Sequence, residues 1–89
     1  MSTQLDYTVI ATREPQFAVV IVPKSILNDV TMAEQTRAYL EHQCFHFPIV
    51  LMARDERGIP NAYYGRSDLA ISLSRVPLTD RPWERMTLG

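Results

Sequence analysis

Three stretches of this sequence carry residue types that could do chemistry. The first is His42-Gln43-Cys44-Phe45-His46, three soft-metal ligands within five residues. Extended, the segment would point all three to one side. Helical, it would set His42 and Cys44 about 200° apart, at about 100° per residue, and leave only His42 and His46 as neighbours. A structural zinc site needs four ligands. The chain has two histidines and one cysteine, so a complete metal site would be shared between two copies. The plainer reading is an exposed helical His42, a Cys44 buried on the apolar side and His46 in a connecting loop, because free cysteine is among the most often buried residues.

The second stretch is Tyr63-Tyr64-Gly65-Arg66-Ser67-Asp68. A strand that ends in glycine, followed by Arg and Ser at a helix start, can hold an anion. The free amides of the first turn would point at it, and Arg66 would add a two-pronged contact. Arg66 and Ser67 are therefore the candidate anion-binding pair. Asp68 counts against them, since its carboxylate already meets the positive helix end. Ser67 as an ordinary N-cap beside an exposed Arg66 explains the same residues. The third stretch is Asp55-Glu56-Arg57, with Arg54 before it. Paired carboxylates serve as acid and base only when both face one concavity. Neighbours at a hairpin tip do not, and a solvated turn is expected. The chain has no glycine-rich phosphate loop and no serine in a nucleophile elbow. No nucleophile, base and orienting group come together, so the sequence leans away from an enzyme and calls for no cofactor.

The elements that position these stretches are set by two apolar runs. Residues 49–53, Ile-Val-Leu-Met-Ala, are opened by Pro48 and closed by the turn at 55–58. A short continuous apolar run between turn signals reads as a strand buried on both faces. Residues 17–22, Phe-Ala-Val-Val-Ile-Val, read the same way and end at Pro23. Residues 5–12 alternate, as a strand buried on one face does. Residues 59–64 form the returning strand of the hairpin, and Pro60, which cannot donate to a ladder, puts that strand at a sheet edge.

Thr31-Met32-Ala33-Glu34 fits a capping box and predicts a helix over residues 32–43, with Met32, Ala33, Thr36, Tyr39 and Leu40 facing the sheet. Pro48 stops it by disfavouring helical geometry at Phe47. A short helix from Ser67 toward Pro77 is predicted next, then a short strand or packed tail over residues 83–88. The fold expected is α+β: a two-layer mixed sheet of four or five strands, order β-β-α-β-β-α with a further β at the end, and helices packed on the sheet. The linking helix is long enough for a right-handed crossover, so the two apolar strands should be parallel neighbours at its centre.

Residues 47–76, with Phe47-Pro48, a buried strand, the Asp55…Gly58 turn, a return strand, Gly65 and a closing helix, resemble the second half of a thioredoxin-like domain. In that family a cis proline opens the corresponding strand beside the active-site cysteines. This chain has a single cysteine and so no Cys-x-x-Cys, and the redox activity is not carried over.

Eighty-nine residues make one domain. Nine basic and ten acidic residues give a net charge of -1, which provides no footprint for nucleic acid or an anionic membrane. No apolar stretch approaches ~18 residues, and residues 1–6 lack the basic and apolar regions of a signal peptide. One cysteine fits a reducing compartment, so a cytoplasmic protein is expected. Two strands apolar on both faces need cover on both sides. The helix after Ser67 is too short to cover its side alone, which leaves a patch expected to include Tyr63, Tyr64, Trp83 and Met86. A patch of that kind marks a partner surface. The expectation is a homodimer that acts as a non-enzymatic interaction or regulatory module, with the alternative that residues 77–88 fold back and close the face.

Overall fold

The computed structural model describes residues 3–11, 16–57, 60–73 and 82–88. Strands β1 (Thr3–Ile10), β2 (Phe17–Ile21), β3 (Ile49–Arg54), β4 (Pro60–Tyr64) and β5 (Glu84–Leu88) form one mixed sheet in the order β4-β3-β2-β1-β5. The two apolar runs are its parallel pair, with Val19 opposite Val50 and Val20 opposite Leu51. All other neighbours are antiparallel. The crossover between β2 and β3 consists of helix α1 (Lys24–Leu27), helix α2 (Val30–Leu40) and a π-helical turn (Glu41–Phe45). Helix α3 (Ser67–Leu73) follows β4. β4 is an edge strand, where Pro60 costs no central hydrogen bond.

The pleat divides the core in two. Leu5, Ala18, Val20, Ile49 and Leu51 pack with Ala33 and Leu40 of α2. Ile10, Phe17, Val19, Val50 and Met52 pack on the other side with Leu69 and Leu73 of α3 and with the half-buried Trp83. Leu51 and Met52, adjacent in β3, are thus both fully buried on opposite faces. This is why the run lacks alternation. Each such side chain contributes roughly 1.5–3 kcal/mol on burial.

Among the described residues the centre of the α3 side is covered. Val19, Val50 and Met52 are all fully buried. The chain leading into β5 contributes to this: the buried Thr8 hydroxyl donates to the Pro82 carbonyl at 3.3 Å, and Trp83 packs on the cluster. The face expected to stay open for a partner is therefore covered at its centre.

Three local expectations are corrected. No helix is expected before residue 32, yet residues 24–30 contain α1, which seats Ile26 and Leu27 against the core. The cap of α2 is Asp29, not Thr31. Its Oδ1 accepts from the N–H groups of Thr31 at 3.0 Å and Met32 at 3.3 Å. A carboxylate there both caps the helix and meets the dipole. Glu34 is turned away to Arg37 and Tyr64 and closes no capping box. The buried stripe of α2 is also narrower than predicted. Ala33 and Leu40 are buried, whereas Met32 and Tyr39 are about half exposed, because they lie on the flank of the line that meets β2 and β3.

The helix also gives way to a wider turn before residue 43. The His46 N–H reaches the Glu41 carbonyl at 2.7 Å, and His46 closes the turn with φ 61°. The extra residue brings Phe45 edge-on to Tyr7, with centroids 5.1 Å apart, and beside Phe47. At the end of β4, Gly65 takes φ +153°, and a Cβ there would stand 3.0 Å from the Ile49 carbonyl oxygen. Residue 12 of the first predicted strand, Gly58 and residue 59 of the hairpin, and the predicted continuation of α3 through residues 74–76 lie outside the described residues.

Candidate functional site

The structure does not gather His42, Cys44 and His46 into a ligand set. Each is exposed. Cys44 is not on the buried arc, because the π turn spends its inward position on Phe45 instead. Among the described residues no group of three or more His, Cys, Asp and Glu side chains is placed to hold a metal ion. Arg66 is engaged with its own helix: Nε and a terminal nitrogen donate to Asp68 at 3.2 and 2.8 Å. This pair lies in solvent, and the guanidinium holds the Asp68 carboxyl below its usual range. Ser67 stands exposed at the first position of α3.

The four expected interface residues fall at opposite edges of the sheet. Tyr63 and Tyr64 end β4, while Trp83 precedes β5 and Met86 is its middle residue. Three intervening strands separate the two edges, roughly 19 Å at ~4.8 Å per strand. Tyr63 is exposed and Tyr64 half-buried, on opposite faces as their alternation requires. The Tyr64 hydroxyl donates to Glu34 at 2.7 Å. Glu34 also pairs with Arg37, which bridges on to Glu41. The Arg37 and Tyr64 hydrogen bonds hold the Glu34 carboxyl down at about 2. This chain of contacts ties α2 to the β4 edge.

The β5 edge is built differently. Tyr7 donates to Glu84 at 2.7 Å, a bond that raises the Tyr7 phenol. On the opposite face Arg85 donates to Asp6 at 3.3 Å. Met86 packs on the α2-side core from the outer strand. Among the described residues no strand pairs with the outer side of β5. An unpaired edge offers a row of backbone donors and acceptors.

One constellation was missed when the sequence was read stretch by stretch. β2 and β3 run parallel, so the residues after each strand meet at one end of the sheet. There Lys24, opening α1, and Arg54, ending β3, line the same concavities. The signal was present in the sequence. Once the two apolar runs are parallel neighbours, Pro23-Lys24 and Arg54-Asp55 must converge.

No family model, curated protein or solved structure matches the chain. The resemblance of residues 47–76 to a thioredoxin-like domain gains no support, and function rests on the geometry.

Proposed function

We propose that this protein is a small, non-enzymatic interaction or regulatory module that acts as a homodimer joined through β5. The observation that carries the reading is the unpaired outer side of β5 among the described residues. Closed two-fold assemblies are the commonest oligomers, and two copies of one edge strand meet antiparallel about an axis normal to the sheet. Such an axis keeps each face on its own side. Only registers centred on a residue are then allowed. Centring on Glu84 or Arg85 sets like charges opposite each other. Centring on Met86 pairs all five residues, with Arg85 opposite Thr87 of the second copy and no like charges facing. Met86 then lies on the axis and extends the α2-side apolar cluster across the interface. Trp83 lies just outside the paired segment.

A cytoplasmic setting suits the single, exposed Cys44, which an oxidising compartment would cross-link between copies. Sedimentation equilibrium under reducing conditions tests the dimer. Thr87 is exposed, so its charge can be changed without touching the core. Thr87→Glu faces Arg85 twice in the dimer and strengthens it, whereas Thr87→Lys weakens it. At ~0.2–1 kcal/mol for each of two cross-strand pairs, the dissociation constant shifts by about 2- to 30-fold in opposite directions. A mass near 10.2 kDa at every concentration, or equal effects of the two variants, defeats the proposal.

A further inference from the structure

We infer that the end of the sheet where β2 and β3 terminate is a binding site for a phosphate dianion, free or as the phosphomonoester of a small molecule. Two openings of about 430 and 440 Å³ lie there, each within the size range of small-ligand sites. Lys24 and Arg54 line both.

The charge is unevenly spread. The opening on the β1 side is lined by three cations, Lys24, Arg54 and Arg85, against one carboxylate, Asp6. Asp6 is already occupied by Arg85 at 3.3 Å. The opening on the turn side adds Arg57 but also Asp55 and Glu56. Asp55 accepts the Arg57 backbone N–H at 2.9 Å. Among the described residues neither Lys24 nor Arg54 comes within 4 Å of a carboxylate. Two cations that line the same openings, neither in an ion pair among the described residues, match a compact group of charge near -2. The β1-side opening, with Gln4 as a further amide donor on its lining, is the favoured seat.

Arg54 is prepared for such a role. Its guanidinium lies over the Trp83 ring, 5.2 Å from the centroid. Stacking holds a planar fork ready for two-pronged contact with a phosphate. The β3–β4 register shifts between Ala53 and Arg54, where Pro60 stands opposite Arg54. Irregularities of this kind recur where a side chain is re-aimed beside a functional site. The position agrees with the general rule for open sheets, in which ligands bind beyond the carboxyl ends of parallel strands.

The test is a titration of the full ¹⁵N-labelled chain with inorganic phosphate and a simple phosphomonoester, at constant ionic strength set by chloride. The expected result is saturable shifts of the Gln4, Lys24 and Arg54 amides, with the dissociation constant raised at least tenfold in Lys24→Gln and in Arg54→Gln. Lys24 is exposed, so Lys24→Gln keeps the test decisive if Arg54→Gln loses its fold. The inference is overturned by a linear, non-saturating response, by unchanged binding in Lys24→Gln, or by tighter binding of succinate than of phosphate, which would assign a dicarboxylate instead. Arg85 borders both this opening and the proposed β5 seam, but the two tests read separately: a monomeric protein that binds phosphate refutes only the dimer, and a dimer that ignores phosphate refutes only the site.

Discussion

Substituting Gly65 by alanine tests how β4 leaves the sheet. Gly65 has φ +153°, in a region that side chains other than glycine's rarely enter, at a cost of roughly 1–3 kcal/mol. The added Cβ would also stand 3.0 Å from the Ile49 carbonyl oxygen and 3.2 Å from the Val50 Cα. Both atoms belong to the backbone of β3, held between β2 and β4, so neither steps aside easily. Crowding of this kind costs about 1–3 kcal/mol more. Gly65→Ala should therefore lose about 2–6 kcal/mol. A domain of this length has roughly 4–13 kcal/mol in total, at ~0.05–0.15 kcal/mol per residue, so the variant either melts at least ~8 °C lower, at ~4–8 °C per kcal/mol, or fails to fold. Urea unfolding followed by circular dichroism measures the loss. Ile71→Ala, at a side chain 61% exposed, serves as the control and should stay within about 0.5 kcal/mol. A Gly65→Ala loss under ~1 kcal/mol with an unchanged urea slope would show that the chain leaves β4 by another backbone path.

The centre of the sheet can be tested with Leu51→Ala, which should cost ~2–5 kcal/mol as a buried large-to-small change. The slowest-exchanging amides should lie in β2 and β3, and fast exchange in either strand contradicts their central place. Glu34 gives a pH prediction. Its carboxyl is held down at about 2 from an ordinary 4.5, so the unfolded chain binds that proton more readily. Its contribution is complete above about pH 4.5 and fades as pH falls through about 2. The side chain is 48% exposed, and solvent screening limits the effect to about 1 kcal/mol or less. Acid unfolding curves should show this slope in the native protein and lose it in Glu34→Gln; equal slopes in both refute the Tyr64–Glu34–Arg37 link.

The strand core was legible because it follows from local pattern. Two unbroken apolar runs and a helix-length segment between them were enough to give the parallel pair β2–β3, and Pro60 marked the β4 edge. The helix ends were less legible. Thr31 and Glu34 have the spacing of a capping box, but Asp29 offers a charged acceptor two residues earlier. Glu34 is claimed by Tyr64, 30 residues away, a partner that no local window contains. The π turn inverted the expectation for Cys44 in a similar way. One extra residue in a turn exchanges which side chain faces inward, and here Phe45 gains the contact with Tyr7. The candidate ligand stretches were chosen by proximity in sequence, whereas Lys24 and Arg54 meet only through the parallel pairing of their strands.

The pairing of β1 with β5 sets Thr3 directly opposite Leu88. The chain therefore enters and leaves this unit at one corner of the sheet, side by side. A polypeptide attached before Thr3 and another attached after Leu88 would emerge as two adjacent strands, as the ends of a surface loop do. Units with neighbouring ends are well tolerated as insertions. Placed within an exposed loop of a host protein on short linkers, this domain would leave the two flanking segments of the host close together.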